Sequence, residues 1–186
     1  MFDLNEKKFG GTVIFNNGDS GVVKNVDISI EKKKQEDPDT YPDYKLVAND
    51  GVSTISNGFY YPKTMADKTT TENEKREILD VSRVMHVAKA VLGENYSFPT
   101  VNSGKEAFDV LFPLINEHAK NKKFNVFTTY GSPMYPKKYL ELRYFNFIES
   151  ADVSPSRLFP SKNDLLVRLT EDAVAEGTST TQNWGS

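Results

Sequence analysis

The amino-acid sequence predicts an α+β fold: a five-stranded β-barrel with a two-helix insertion between strands three and four, then a C-terminal extension. Three observations carry this expectation. Stretches rich in β-branched and aromatic residues, bounded by Asn, Asp, Gly and Pro, occupy both ends of the body. Between them, apolar residues recur at spacings of three and four. From Ser150 onward the regularity fades.

Thr12-Val13-Ile14-Phe15 carries a strand signal ahead of the five, ended by the turn residues Asn16-Asn17-Gly18-Asp19. Val22 to Glu31 alternates, with Val26, Ile28 and Ile30 on one face and Asn25, Asp27, Ser29 and Glu31 on the other, as a half-buried antiparallel strand requires. A charged loop, Lys32 to Asp39, leads to a strand at Tyr44–Ala48. The turn Asn49-Asp50-Gly51 leads to another at Val52–Tyr61, closed by Pro62. These three strands form a meander. The period then changes. Ile78, Leu79, Val81, Met85, Ala88 and Leu92 mark an amphipathic helix stopped by Gly93. Ser103 and Glu106 have capping-box spacing ahead of a second helix through Ala107, Phe108, Leu111, Leu114, Ile115 and Ala119, with Pro113 inside it. Two strands follow, Phe124–Tyr130 and Tyr139–Ile148.

Composition bounds the chemistry. The chain has 186 residues, 38% hydrophobic and 26% charged, which favours one globular domain at 1–149 with an extension at 150–186. The stretch from Glu171 is acidic, rich in Ser, Thr and Gly, and reads as a mobile tail. Cys is zero, which excludes disulfides, thiolate metal sites and thiol catalysis. The two histidines, His86 and His118, lack metal-ligand spacing, so no metal is expected. Gly10-Gly11 and Gly18–Gly21 are not followed by Lys-Ser/Thr, so no phosphate-cradling loop is expected. No constellation of nucleophile, acid and base stands out. The expectation is a protein without cofactor that is not an enzyme. No apolar run reaches the roughly 18 residues of a membrane span. Met1 to Gly11 lacks a basic region ahead of an apolar stretch, so no signal peptide is expected. A net charge of -3 excludes a globally basic nucleic-acid binder but not a local basic face.

Five strands with a helical connection between the third and fourth have the count and order of an OB-fold barrel, which binds oligonucleotides across its strand 2–3 face and its loops. Several segments also carry a resemblance: Met1-Phe2-Asp3-Leu4-Asn5, Val26 to Lys33, Gly58-Phe59-Tyr60-Tyr61-Pro62, Lys123 to Thr128, and Tyr139 to Phe145. Over roughly residues 1–149 the chain resembles a family of small bacteriophage OB-fold proteins that bind single-stranded DNA in replication. The resemblance implies single-stranded DNA as ligand, the host cytoplasm as location, and replication proteins or further copies of the chain as partners. The acidic-plus-aromatic terminus common among such binders is missing, because Trp184 is followed by Gly185-Ser186 with no acid beside it.

Single-strand binding needs cations for phosphates and flat side chains on which bases stack. On the last strand, Leu140, Leu142, Tyr144 and Ile148 should face inward, and Tyr139, Glu141, Arg143, Phe145 and Phe147 outward. An outward face with so many rings calls for a cover: bases, another subunit, or the C-terminal segment folded back. The loop from Tyr130 to Lys138 contributes Tyr135, Lys137 and Lys138. Lys122 and Lys123 add positive charge just before the preceding strand. Phe59-Tyr60-Tyr61 alternates, so it buries at least one ring and exposes at least one. Phe59, Tyr61 and the neighbouring Lys63 join the candidate set. That set is Phe59, Tyr61, Lys63, Lys122, Lys123, Tyr130, Tyr135, Lys137, Lys138, Tyr139, Arg143 and Phe145. Exposed rings suit protein interfaces equally well. The alternative is therefore a phage virion protein, a capsid-decorating or lattice-bridging subunit, whose ends Met1–Gly11 and Ser150–Ser186 act as arms.

Overall fold

The protein is described by a computed structural model covering residues 14–34, 43–60 and 64–169. The first half of the expected strand at 12–15, most of the charged loop after Lys34, the arm at 1–11 and the acidic tail lie outside the described residues. The elements run β1 (Gly21–Lys32), β2 (Tyr44–Asn49), β3 (Thr54–Phe59), α1 (Thr70–Leu92), α2 (Gly104–Ala119), β4 (Phe124–Gly131), β5 (Pro136–Leu142) and β6 (Ile148–Ser150). Phe15 does not close a strand. It opens a tight turn in which Asn16 and Asn17 both hold positive φ, a conformation Asn tolerates better than most residues.

The architecture is α+β, an open antiparallel sheet of six strands with two helices. The order is β3-β2-β1-β4-β5, with β6 also on β4. β1 is long enough to serve two partners. Its first part pairs with β4 and its second with β2, and the switch comes where Asn25 takes φ 59° and the register slips. Such a bulge bends a strand and raises its twist. No ladder joins β3 to β5 among the described residues.

Both helices have chemically defined starts. Thr69 and Glu72 form a reciprocal capping box on α1, which therefore begins at Thr70, ahead of the apolar period at Ile78. The Ser103 hydroxyl accepts from the Glu106 amide at 3.2 Å to cap α2. Val84, Val87, Val91, Phe108, Leu111 and Ile115 then pack on Val26, Ile28, Leu46 and Val126 of the sheet. The alternation expected for β1 is seen: Val26, Ile28 and Ile30 are buried.

β4 is buried from Phe124 to Tyr130, on both faces. The helices cover one face. The other is covered by the chain that follows β5. Arg143 lies over the Phe127 ring at 3.9 Å. Leu165 accepts from the Tyr130 amide at 2.7 Å and donates to the Gly131 carbonyl at 3.0 Å. Leu158 is buried, and the buried Glu149 carboxylate accepts from Asn125, Ser156 and the Arg157 amide. Residues 150–169 are thus folded against the sheet rather than appended to it.

The single strand expected at Tyr139–Ile148 is two. β5 and β6 lie along the same edge of β4, separated by a looped Arg143–Phe147 in which Asn146 takes φ 48°. The loop resets the alternation. Phe147, expected outward, is fully buried, and Tyr144, expected inward, is exposed.

Candidate nucleic-acid interface

The β4–β5 hairpin sets the site. Ser132 and Tyr135 exchange backbone hydrogen bonds of 3.2 and 3.0 Å across a tight loop. Gly131 permits this with φ 78°, and a Cβ there would lie 2.3 Å from the Tyr135 carbonyl oxygen. The turn throws the Tyr135 ring into solvent, 67% exposed. Beside it a groove of about 470 Å³ is lined by Tyr135, Lys137, Glu141, Arg143, Phe145 and Phe159. Tyr139 shares the β5 face of Lys137 and Glu141 and is 73% exposed. Lys138 falls on the other side by strand alternation, with its ammonium 5.9 Å from the Tyr139 ring. Phe145 is half exposed and stands edge-on to Tyr144, with ring centroids 4.6 Å apart.

The charge of Arg143 is engaged within the protein, contrary to its expected role at phosphate. Its Nη1 donates to Asp164 Oδ2 and to the Phe159 carbonyl, both at 2.7 Å, while Nη2 donates to the Asn146 carbonyl at 2.7 Å and Nε to the Phe145 carbonyl at 3.1 Å. It is the floor of the groove and ties the C-terminal segment down. Burial pushes the Glu141 carboxyl above its ordinary range, partly offset by nearby Lys137. The groove therefore mixes Lys137 with one half-desolvated acid.

Other expected residues lie elsewhere. Phe59 is 1% exposed and packs against Phe112, so it cannot stack on a base. Tyr130 is buried, with its hydroxyl donating to the Gly18 carbonyl at 2.5 Å. Lys122 and Lys123 sit at the opposite end of β4, about 25 Å away at roughly 3.3 Å per residue. Lys122 Nζ donates to the Val91 carbonyl at the end of α1, and Lys123 pairs with Asp27 at 2.8 Å. Tyr61 and Lys63 lie outside the described residues. The structure thus gathers Tyr135, Lys137, Arg143 and Phe145, with Tyr139 adjoining. Sequence reasoning missed Phe159, which reaches the groove only through the fold of residues 150–169 and carries no local signal.

A larger cleft of about 760 Å³ lies between α1 and the start of α2. Glu74 and Glu77 outnumber Lys89 among its lining residues, beside the apolar Ile78 and Val81, which makes it a poor place for phosphates. His86 reaches it from α1, and burial pushes the His86 pKa down. Among the described residues no group of three or more His, Asp or Glu is placed to hold a metal, and no helix is long and apolar enough to cross a membrane. Comparison of the chain with protein-family models, with curated proteins and with solved structures gives no match in any of the three.

Proposed function

We propose that the protein binds single-stranded DNA without sequence preference, along the outer edge of the β4–β5 hairpin, to sheathe intermediates of phage replication or recombination. The observation that carries this reading is the set of rings at Tyr135, Tyr139 and Phe145, exposed beside Lys137 and left uncovered by the C-terminal segment that buries the rest of that face. Each ring offers a sequence-tolerant stacking surface worth about 1–3 kcal/mol per base. Lys137 and Lys138 neutralise phosphates, and the release of their counterions adds a salt-dependent term. Arg143 holds the groove in shape from below.

An OB-like barrel with its two-helix insertion belongs to the same proposal. What supports it is the order β3-β2-β1-β4-β5, in which β3 and β5 would meet on closure, and the approach of these two edges in space. Arg83 of α1 spans them, donating to the Gly58 carbonyl at 3.1 Å and to the Tyr144 carbonyl at 3.3 Å.

The test is polarisation of labelled oligo-dT at low and high salt. The wild type should bind at low salt and weaken as salt rises. Tyr135→Ala, and separately Lys137→Ala with Lys138→Ala, should weaken binding while leaving thermal stability nearly intact. For the ring, 1–3 kcal/mol corresponds to about 5- to 150-fold. No binding by the wild type at low salt ends this reading. It then favours the virion subunit, for which the separation of Lys122 and Lys123 from the groove already speaks.

A further inference from the structure

Tyr60 follows the edge strand β3 and is 61% exposed. Its ring is not loose. A Cβ at Gly58 would lie 3.3 Å from Tyr60 Cζ and Oη and 3.5 Å from Lys33 Nζ, so the ring and the ammonium fill the space left by the missing side chain. Lys33 Nζ stands 5.2 Å from the centre of that ring. The result is a flat aromatic shelf with a cation on it, the pairing of surface and charge that an unpaired nucleotide uses.

This shelf is joined to the groove by a continuous set of contacts. Arg83 is 3% exposed and reaches the Gly58 carbonyl under the shelf. The same guanidinium lies 3.8 Å from the centre of the Tyr144 ring and 5.0 Å from that of Phe59. Tyr144 meets Phe145 edge-on and lines the groove. Tyr60, Tyr144 and Phe145 therefore follow one another across the seam between β3 and β5. Arg83 Nη2 finds no hydrogen-bond partner among the described residues, a cost of burial set against its stacking and its two carbonyl bonds. Its place in the seam fixes the distance between shelf and groove.

We infer that the Tyr60–Lys33 shelf is a second station for single-stranded DNA, so that one strand runs from the hairpin groove across Tyr144 and the β3–β5 seam. This rests on the single-strand reading above and extends its path. Nucleotides leaving Phe145 meet Tyr144 and then Tyr60, while Lys33 takes a phosphate beside the last base. The acidic, apolar cleft between the helices offers no comparable continuation.

Polarisation of labelled oligo-dT of two lengths on the full chain tests this. About four nucleotides should fill the groove alone and about twelve should reach the shelf, within the range of site sizes of single-strand-binding barrels. Tyr60→Ala should weaken the long oligomer roughly tenfold and leave the short one within about twofold. Tyr135→Ala should weaken both. Gly58→Ala, whose methyl group crowds the Tyr60 ring by a few tenths of an ångström, should weaken the long oligomer in the same direction but less than Tyr60→Ala. Lys33→Ala should lower the salt slope for the long oligomer by about 0.7. Melting curves of each variant separate lost folding from lost contact. Wild-type binding with equal long-oligomer affinity in Tyr60→Ala and Lys33→Ala overturns the second station alone. Failure of the wild type to bind either length overturns the single-strand reading and this extension with it.

Discussion

The two ends of β4 carry similar residues and put them to different uses. At its start, Lys122 and Lys123 are engaged: one closes the last turn of α1 and the other pairs with Asp27 across to β1. At its end, the turn that Gly131 permits lifts Tyr135 and Lys137 clear of the fold. A count of cations along the chain treats the two ends alike. Their difference lies in what the chain brings opposite them: a helix C-terminus and the Asp27 carboxylate at one end, an open groove with the half-buried Glu141 at the other.

Substitutions can break or sharpen this contrast. The largest effect is expected from Asp164→Ala. The Arg143–Asp164 pair is nearly covered, with side chains 12% and 6% exposed, so removing one partner strands a charge. A loss of about 3–5 kcal/mol in urea unfolding is expected, with oligomer binding falling as the groove loses its floor. An unfolding midpoint equal to wild type would show that the pair is not a structural tie. A smaller effect is expected from Glu141→Gln. Removing this carboxylate from the groove should tighten oligo-dT binding a few-fold, consistent with about 1 kcal/mol between exposed charges near contact. Because burial raises the Glu141 carboxyl pKa, it is neutralised ahead of ordinary carboxylates as pH falls, so wild-type binding should tighten on acidification into the carboxylate range, and Glu141→Gln should lack that change. A parallel pH response in the variant would assign the effect elsewhere. The smallest effect is expected at the other end. Lys123→Ala removes a half-exposed ion pair worth about 0.2–1 kcal/mol and should leave oligomer affinity as it was. A loss of affinity as large as that of Lys137→Ala would move the interface to the start of β4.

Much of the fold was legible. Val26, Ile28 and Ile30 announced the buried face of β1, and Gly93 and Ser103 marked real helix boundaries. The start of α1 at Thr70 did not show in the apolar period, because its first turns are polar; the Thr69–Glu72 box that sets it lies well ahead of Ile78. The site was harder to read, for a reason of parity. Alternation assigns faces correctly only while a strand continues, and nothing in Tyr144-Phe145-Asn146 declares the break at which Asn146 turns left-handed. On the near side of that break Tyr144 already faces solvent, and past it Phe147 points inward. At Phe59-Tyr60 the alternation was visible but its phase was not, and the buried ring proved to be Phe59. Arg143 looked like a phosphate contact because its partner, Asp164, lies 21 residues away in a segment without periodic signal.

The cover on the second face of β4 has a consequence for biosynthesis. A nascent chain that has emerged only through β6 has Arg143 over Phe127 without its Phe159 and Asp164 partners, and leaves the Tyr130 amide and the Gly131 carbonyl without the bonds that Leu165 makes. Such an intermediate offers neighbouring polypeptides a sticky, half-finished ladder. The hazard ends when residues 158–165 leave the ribosome and latch onto the sheet. Completion of this cover is thus timed by residues 158–165, and pausing of translation just upstream of them would prolong the period in which the molecule can aggregate.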